Sequence, residues 1–191
     1  MVDILPIVLF VSIWIINYAI SVFNAIGVGR AYRDPEFMKG WMKVILWSSA
    51  IMSVCGFTWC YLILVGVVAN MIGYINEATL SMALQLGYII LILPILGSGC
   101  VLWVQSIITA AKARRFGNYA IAGWNTFAMI TNFYSAFRNI PQILRNIGGA
   151  INTRDSRAIG FLIAVILIVL SLGAGIITTY CLAKWAKHYR C

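Results

Sequence analysis

Acidic side chains are scarce in this chain. Its 191 residues hold only 5 Asp and Glu against 14 Lys and Arg, for a formal net charge of +9. The five carboxylates are Asp3, Asp34, Glu36, Glu77 and Asp155, each in a connector or near a terminus of the expected helices. None lies mid-span, where an ionisable group is expensive to bury and is kept for function, so a proton or sodium relay is not expected. The single histidine, His188, supplies neither paired haem ligands nor a metal cluster. The five cysteines, Cys55, Cys60, Cys100, Cys181 and Cys191, form no Cys-x-x-Cys pair and read as small apolar side chains. Cys191 also lacks a Cys-a-a-X pattern. No glycine-rich phosphate loop or nucleophile elbow is present. These absences argue against an enzyme and against a bound metal or cofactor.

Hydrophobic residues make up 62% of the chain and charged ones 10%, which excludes an ordinary soluble domain. Between Lys43 and Lys112 the only charged side chain is Glu77. Crossing a bilayer takes about 20 apolar residues, and four stretches are long enough: residues 4–28, 44–70, 80–111 and 158–183. The opening Met1-Val2-Asp3 lacks the basic region of a signal peptide, so the first stretch is expected to remain as a helix. The expected fold is an all-α integral membrane protein, one polytopic domain over residues 1–191. The connector Met71–Thr79 is so short that the second and third helices must be antiparallel neighbours. Asp34-Pro35-Glu36 is a good helix start, and Trp41 and Trp47 mark a membrane interface. Pro94, followed by Gly97 and Gly99, predicts a kink in the third helix.

Residues 118–147 are different. Asn118, Asn125 and Asn132 recur every seven residues, while Trp124, Phe127, Ile130, Tyr134, Phe137, Ile140 and Leu144 recur at helical spacing on the other side. This is an amphipathic helix. The first reading places it in the headgroup region at the inner surface, with a fifth crossing as the alternative. Charge does not decide between them. Four spans put 11 bases inside and 3 outside, and five spans put 10 inside and 4 outside. Either way the N-terminus and the Glu77 turn are expected on the non-cytoplasmic side, with Arg30 and Arg114 in the cytoplasm. The excess of base is read as topology and anionic lipid, not nucleic acid. Arg114, Arg115, Arg138 and Arg145 are the candidate headgroup contacts.

Polar residues inside the spans are neutral and ordered. Asn17, Ser21 and Asn24 share one face of the first span, and Ser49, Ser53, Gly56 and Cys60 follow a similar spacing in the second. Gly160, Ala164, Ser171 and Gly175 form a small-residue stripe on the last span, suited to close helix packing. The Asn17 face is either packing glue or the wall of a hydrated path. The string Asn139-Ile140-Pro141-Gln142-Ile143-Leu144-Arg145-Asn146, with Ser156 and an apolar span after it, resembles the Pro-Gln signature of PQ-loop carriers. That resemblance covers about 45 residues and would make Pro141 a hinge for alternating access; no third helix follows it. The leading functional expectation is a non-catalytic subunit of an oligomeric or heteromeric membrane assembly, bound to lipid and to itself or other membrane subunits. A small oligomeric channel and a small-solute carrier of PQ-loop type are the alternatives.

Overall fold

The computed structural model describes residues 4–151 and 156–189. Asp3, Asp155 and Cys191 lie outside them. Five helices follow in order: α1 (Ile4–Ala31), α2 (Gly40–Met71), α3 (Glu77–Ala113), α4 (Phe116–Ile151) and α5 (Ser156–His188). No strand occurs among the described residues. Four of the five, α1, α2, α3 and α5, are long and apolar enough to cross a membrane, which suggests a membrane location. Their ends extend a few residues past the apolar stretches, because helical backbone hydrogen bonding continues where the side chains turn polar.

Local chemistry sets the boundaries. The short helix expected at Asp34-Pro35-Glu36 is a 3-10 turn, Pro35–Met38, capped by Asp34, whose carboxylate accepts from the Glu36 N–H at 3.0 Å. Asn76 caps α3 by accepting from the Thr79 N–H at 2.8 Å. Between α2 and α3 the chain turns at Gly73, whose φ of 79° disfavours a side chain. Arg114 ends α3 in the left-handed conformation, with φ 45°. Pro94 lies inside α3 without ending it.

α2 is the central helix and packs on α1, α3 and α5. Phe57, Leu62 and Cys60 are fully buried along it. One core cluster joins Leu62, Ile75, Ala83, Ala164, Leu167 and Ile168 near the Glu77 turn. Aromatic rings sew α1 to α2. Trp14 stacks on Tyr18 at 5.5 Å between centroids, and Tyr18 meets Phe57 edge-on at 5.1 Å. The Trp14 indole N–H donates to the Cys60 carbonyl at 3.0 Å. Hydroxyls complete the seams: Ser53 Oγ donates to the Ser21 carbonyl at 2.8 Å and lies 3.1 Å from Thr179 Oγ1 on α5. Neutral polar pairs of this kind are worth most where water is absent.

α4 does not lie across the end of the bundle, as the interfacial reading expected. It stands antiparallel to α3 along that helix's length. Near the start of α4, Thr126 accepts from the Trp103 indole N–H at 2.8 Å. Met129 sits against Gly99. Further on, Ser135 meets the Tyr88 hydroxyl at 2.8 Å, and Asn139, Gln142 and Asn146 lie by Ser81 and Gln85 near the start of α3. The physical reason is that a two-faced helix has two stable homes: a membrane surface, or a bundle flank where its polar face turns inward. Here Phe127, Ile130, Tyr134 and Phe137 are the exposed side, Phe137 at 79%.

The path of α4 moves the C-terminus relative to the four-span arrangement. α5 begins at the Glu77 end, where Gly160 faces Thr79, and finishes at the opposite end, where Gly29 sits against Ala183. There the Arg33 guanidinium donates to the carbonyls of Lys187, Ala186 (2.7 Å) and Tyr189 (2.9 Å), capping the helix C-terminus with positive charge. Lys184 and Lys187 therefore join Arg30, Arg33, Lys39, Lys43, Lys112, Arg114 and Arg115 at one basic end.

Candidate functional site: an amide-lined cleft

α1 packs on α2 and α5 and α4 packs on α3, without extended contact between α1 and α4, and a cleft of about 650 Å³ lies in the gap. α1 contributes Asn17, Ile20, Phe23 and Asn24; α4 contributes Asn118, Ile121, Trp124, Asn125, Ala128, Met129 and Asn132. α3 supplies the floor with Gly99, Leu102, Gln105, Ser106 and Thr109. A smaller cavity of about 230 Å³ shares Asn17, Ile20, Asn24, Met52 and Asn132 with it and continues inward to Trp59 and Tyr88.

Heptad spacing on two helices produces this arrangement. Residues seven apart return to nearly the same side of a helix after two turns. Asn17 and Asn24 thus share one side of α1, as Asn118, Asn125 and Asn132 do on α4. The gap between the helices brings the two sets together. Among the described residues, none of these five carboxamides makes a side-chain hydrogen bond. Nearby groups are already engaged: Gln105 accepts from the Trp41 indole at 3.0 Å, and Ser106 donates to the Trp103 carbonyl at 2.7 Å. Among the described residues no Asp, Glu, Lys, Arg or His lines the cleft. It presents neutral donors and acceptors beside aromatic and aliphatic walls.

The expected polar face of α1 divides in two. Asn17 and Asn24 line the cleft, whereas Ser21 is buried against Gly56 of α2, lines only the inner cavity and bonds to its own helix, donating to the Asn17 carbonyl at 2.8 Å. The α5 stripe lies inside the bundle: Ala164 and Ser171 are buried, Gly160 faces Thr79 of α3, and Gly175 faces Val54 and Thr58 of α2. The four arginines are not brought together. Arg114 and Arg115 stand at the basic end, Arg138 is exposed part-way along α4, and Arg145 lies at the far end. Cys55 and Cys60 are buried free thiols, Cys100 is half-buried and Cys181 exposed. Among the described residues no group of His, Cys, Asp and Glu could hold a metal ion.

One feature escaped the sequence reading. The asparagine heptad does not stop at Asn132; it continues through Asn139 and Asn146, across Pro141. Both of these residues line a third cavity, at the other end of the α3–α4 seam.

The fold and the cleft define a helical bundle with four membrane-length apolar helices and a neutral polar site beside its fifth. Comparisons with protein-family models, with curated proteins and with solved structures find no match. The likeness at Pro141-Gln142 to PQ-loop carriers thus stays a local one.

Proposed function

We propose that this protein is a non-catalytic membrane protein of carrier type that crosses the bilayer five times and binds an uncharged, hydroxyl-rich group in the cleft. The observation that carries this reading is the convergence of five unpartnered carboxamides from α1 and α4 on one charge-free space. Each carboxamide offers two donors and an acceptor oxygen, a match for hydroxyls, which both donate and accept. A full charge would enter without a counter-charge, which is costly at membrane depth. Phe23 and Trp124 supply apolar surface for the carbon face of such a group. The volume of about 650 Å³ falls within the range of small-molecule sites, roughly 300–1,000 Å³. With nine bases gathered at one end, the positive-inside rule puts that end and the C-terminus in the cytoplasm and the N-terminus on the other side. Anionic headgroups would gather around the same end.

The group could belong to a free sugar or to the headgroup of a neutral glycolipid, and the test has an arm for each. Protein in lipid nanodiscs is titrated calorimetrically with maltose and, in separate discs, examined for retention of a glucosyl diacylglycerol. The reading expects binding in one arm, weakened about tenfold or more by Asn125→Leu with Asn132→Leu, because each lost amide leaves a buried hydroxyl short of a partner. Absence of binding in both arms, or binding indifferent to the double substitution, would reject it. A subunit role in an oligomeric or heteromeric assembly is the second reading. It is favoured by the open gap between α1 and α4, where a polar helix of another chain would satisfy the same amides. Cross-linking from Asn125→Cys to a co-purifying chain would support that role.

A further inference from the structure

The cleft is not the only amide-lined space on the seam. At the Glu77 end, a cavity of about 280 Å³ is lined by Ser81, Gln85, Tyr88, Asn139, Gln142 and Asn146, together with Leu84 and Ile143. Six of these eight side chains are polar and none carries a charge. Among the described residues, Gln142 and Asn146 make no side-chain hydrogen bond. Chemically it is a smaller copy of the cleft.

One side chain, Tyr88, is common to the Glu77-end cavity and the inner extension of the cleft. Its hydroxyl meets Ser135 Oγ at 2.8 Å, and the same Oγ accepts from the Asn139 amide at 3.0 Å. Trp59 backs the ring edge-on, with centroids 6.4 Å apart. The polar lining thus runs along the seam from Asn118 at the basic end to Asn146 at the Glu77 end, interrupted where one tyrosine hydroxyl is tied to one serine.

Resting on the reading of the cleft above, we infer that the Glu77-end cavity is a second site for the same uncharged hydroxyl-rich group, and that the Tyr88–Ser135 hydrogen bond is the door between the two sites. The bond has the right character for a door. It is a single neutral pair, it joins two helices, and both partners can exchange it for a hydroxyl of the passing group or for water at little net cost. The heptad offers an amide at each second turn of α4, so a bound hydroxyl handed from Asn132 to Asn139 moves about 10 Å without losing its kind of partner.

The test reads water access and occupancy separately. In a background with the native cysteines replaced, Asn132→Cys reports the cleft side of the door and Gln142→Cys the far side. A small membrane-impermeant thiol reagent should modify the first from the basic end only and the second from the Glu77 end only. Adding Tyr88→Phe, which keeps the ring and removes the hydroxyl, should raise the rate at Gln142→Cys from the basic end about fivefold, the weight of one net hydrogen bond. Ser135→Ala should do the same and guards against a misfolded Tyr88 variant. Maltose, or the glucosyl lipid if that arm bound, should protect Gln142→Cys. If the group binds the cleft but Gln142→Cys is neither protected nor sensitive to both door variants, the second site and door are wrong and the cleft reading survives. If the cleft binds neither probe, both fall together.

Discussion

Two glycines on α5 allow a sharp test of the bundle, because they are two residues apart and differ in what surrounds them. A Cβ added at Gly175 would lie 2.6 Å from Thr58 Oγ1, 2.9 Å from the Val54 carbonyl oxygen and 3.1 Å from the Thr58 nitrogen. Two of those three atoms are backbone, so α2 itself must retreat. The third is a hydroxyl already donating to the Val54 carbonyl at 2.7 Å. At Gly173 an added Cβ meets nothing within 4 Å. Overpacking a tight contact costs about 1–3 kcal/mol, and Gly175→Ala belongs at the upper end because backbone cannot rotate away. Alanine returns about 1 kcal/mol through helix propensity at either position. The net expectation is a loss of about 1–2 kcal/mol for Gly175→Ala and a gain of up to about 1 kcal/mol for Gly173→Ala. At roughly 2–4 °C per kcal/mol for a chain of this size, the midpoints should separate by about 2–12 °C. The assay is thermal denaturation in one mild detergent, followed by circular dichroism at a single heating rate. Gly175→Leu should fall further, while Val169→Leu, on the exposed side of α5, should not. Because the contact lies within one chain, Gly175→Leu should lower the midpoint and leave the particle mass unchanged. Equal midpoints for the two alanine variants would refute the packing of α5 on α2 described here.

Cysteines introduced at Ile159 and Asn76 should label from one side of the membrane and one at Arg114 from the other; labelling of Ile159→Cys from the Arg114 side would reject the fifth crossing. Arg33→Ala removes three bonds to the end of α5 and should destabilise by about 1–3 kcal/mol, with proteolysis of the C-terminal tail as a second readout; an unchanged midpoint and an unchanged cleavage rate would show that the cap is unimportant. Ser53→Ala strips a fully buried bridge between α1 and α5 and should cost about 1–2 kcal/mol, whereas Ser12→Ala, at an exposed position on α1, should cost nothing measurable.

Hydrocarbon needs helices of a minimum length, so the four apolar helices were legible in the chain, and their limits differ from the structure only by the polar turns at each end. The stripe Gly160–Ala164–Ser171–Gly175 was legible as a packing surface, but its destination was not. A row of small residues looks the same whether the neighbour is another helix of the same chain or a second subunit. Contacts such as Arg33 with the end of α5 join residues more than 150 positions apart and leave no local trace. The position of the C-terminus depended on that contact and on the direction of α4.

The case of α4 shows where periodicity stops being informative. Its asparagines and aromatics define two faces, yet a face is defined by what it meets. At a membrane surface the amides would meet water and the aromatics would meet acyl chains. Beside α3 the aromatics would still meet acyl chains in a membrane, and the amides turn to a part of the bundle that also carries amides, the Asn17 and Asn24 side of α1. The second arrangement needs two polar ladders of matched spacing, and the chain has both. An interfacial helix needs only one, and gives no account of why α1 should keep two carboxamides among apolar neighbours. Amides are costly in hydrocarbon when alone and acceptable when they share a polar space. The heptad on α1 and the heptad on α4 are therefore best read as a single feature divided between distant parts of the chain. Seen that way, the extension of the α4 heptad through Asn139 and Asn146 follows the same logic, since a route that begins at Asn118 needs polar partners all the way to the opposite end.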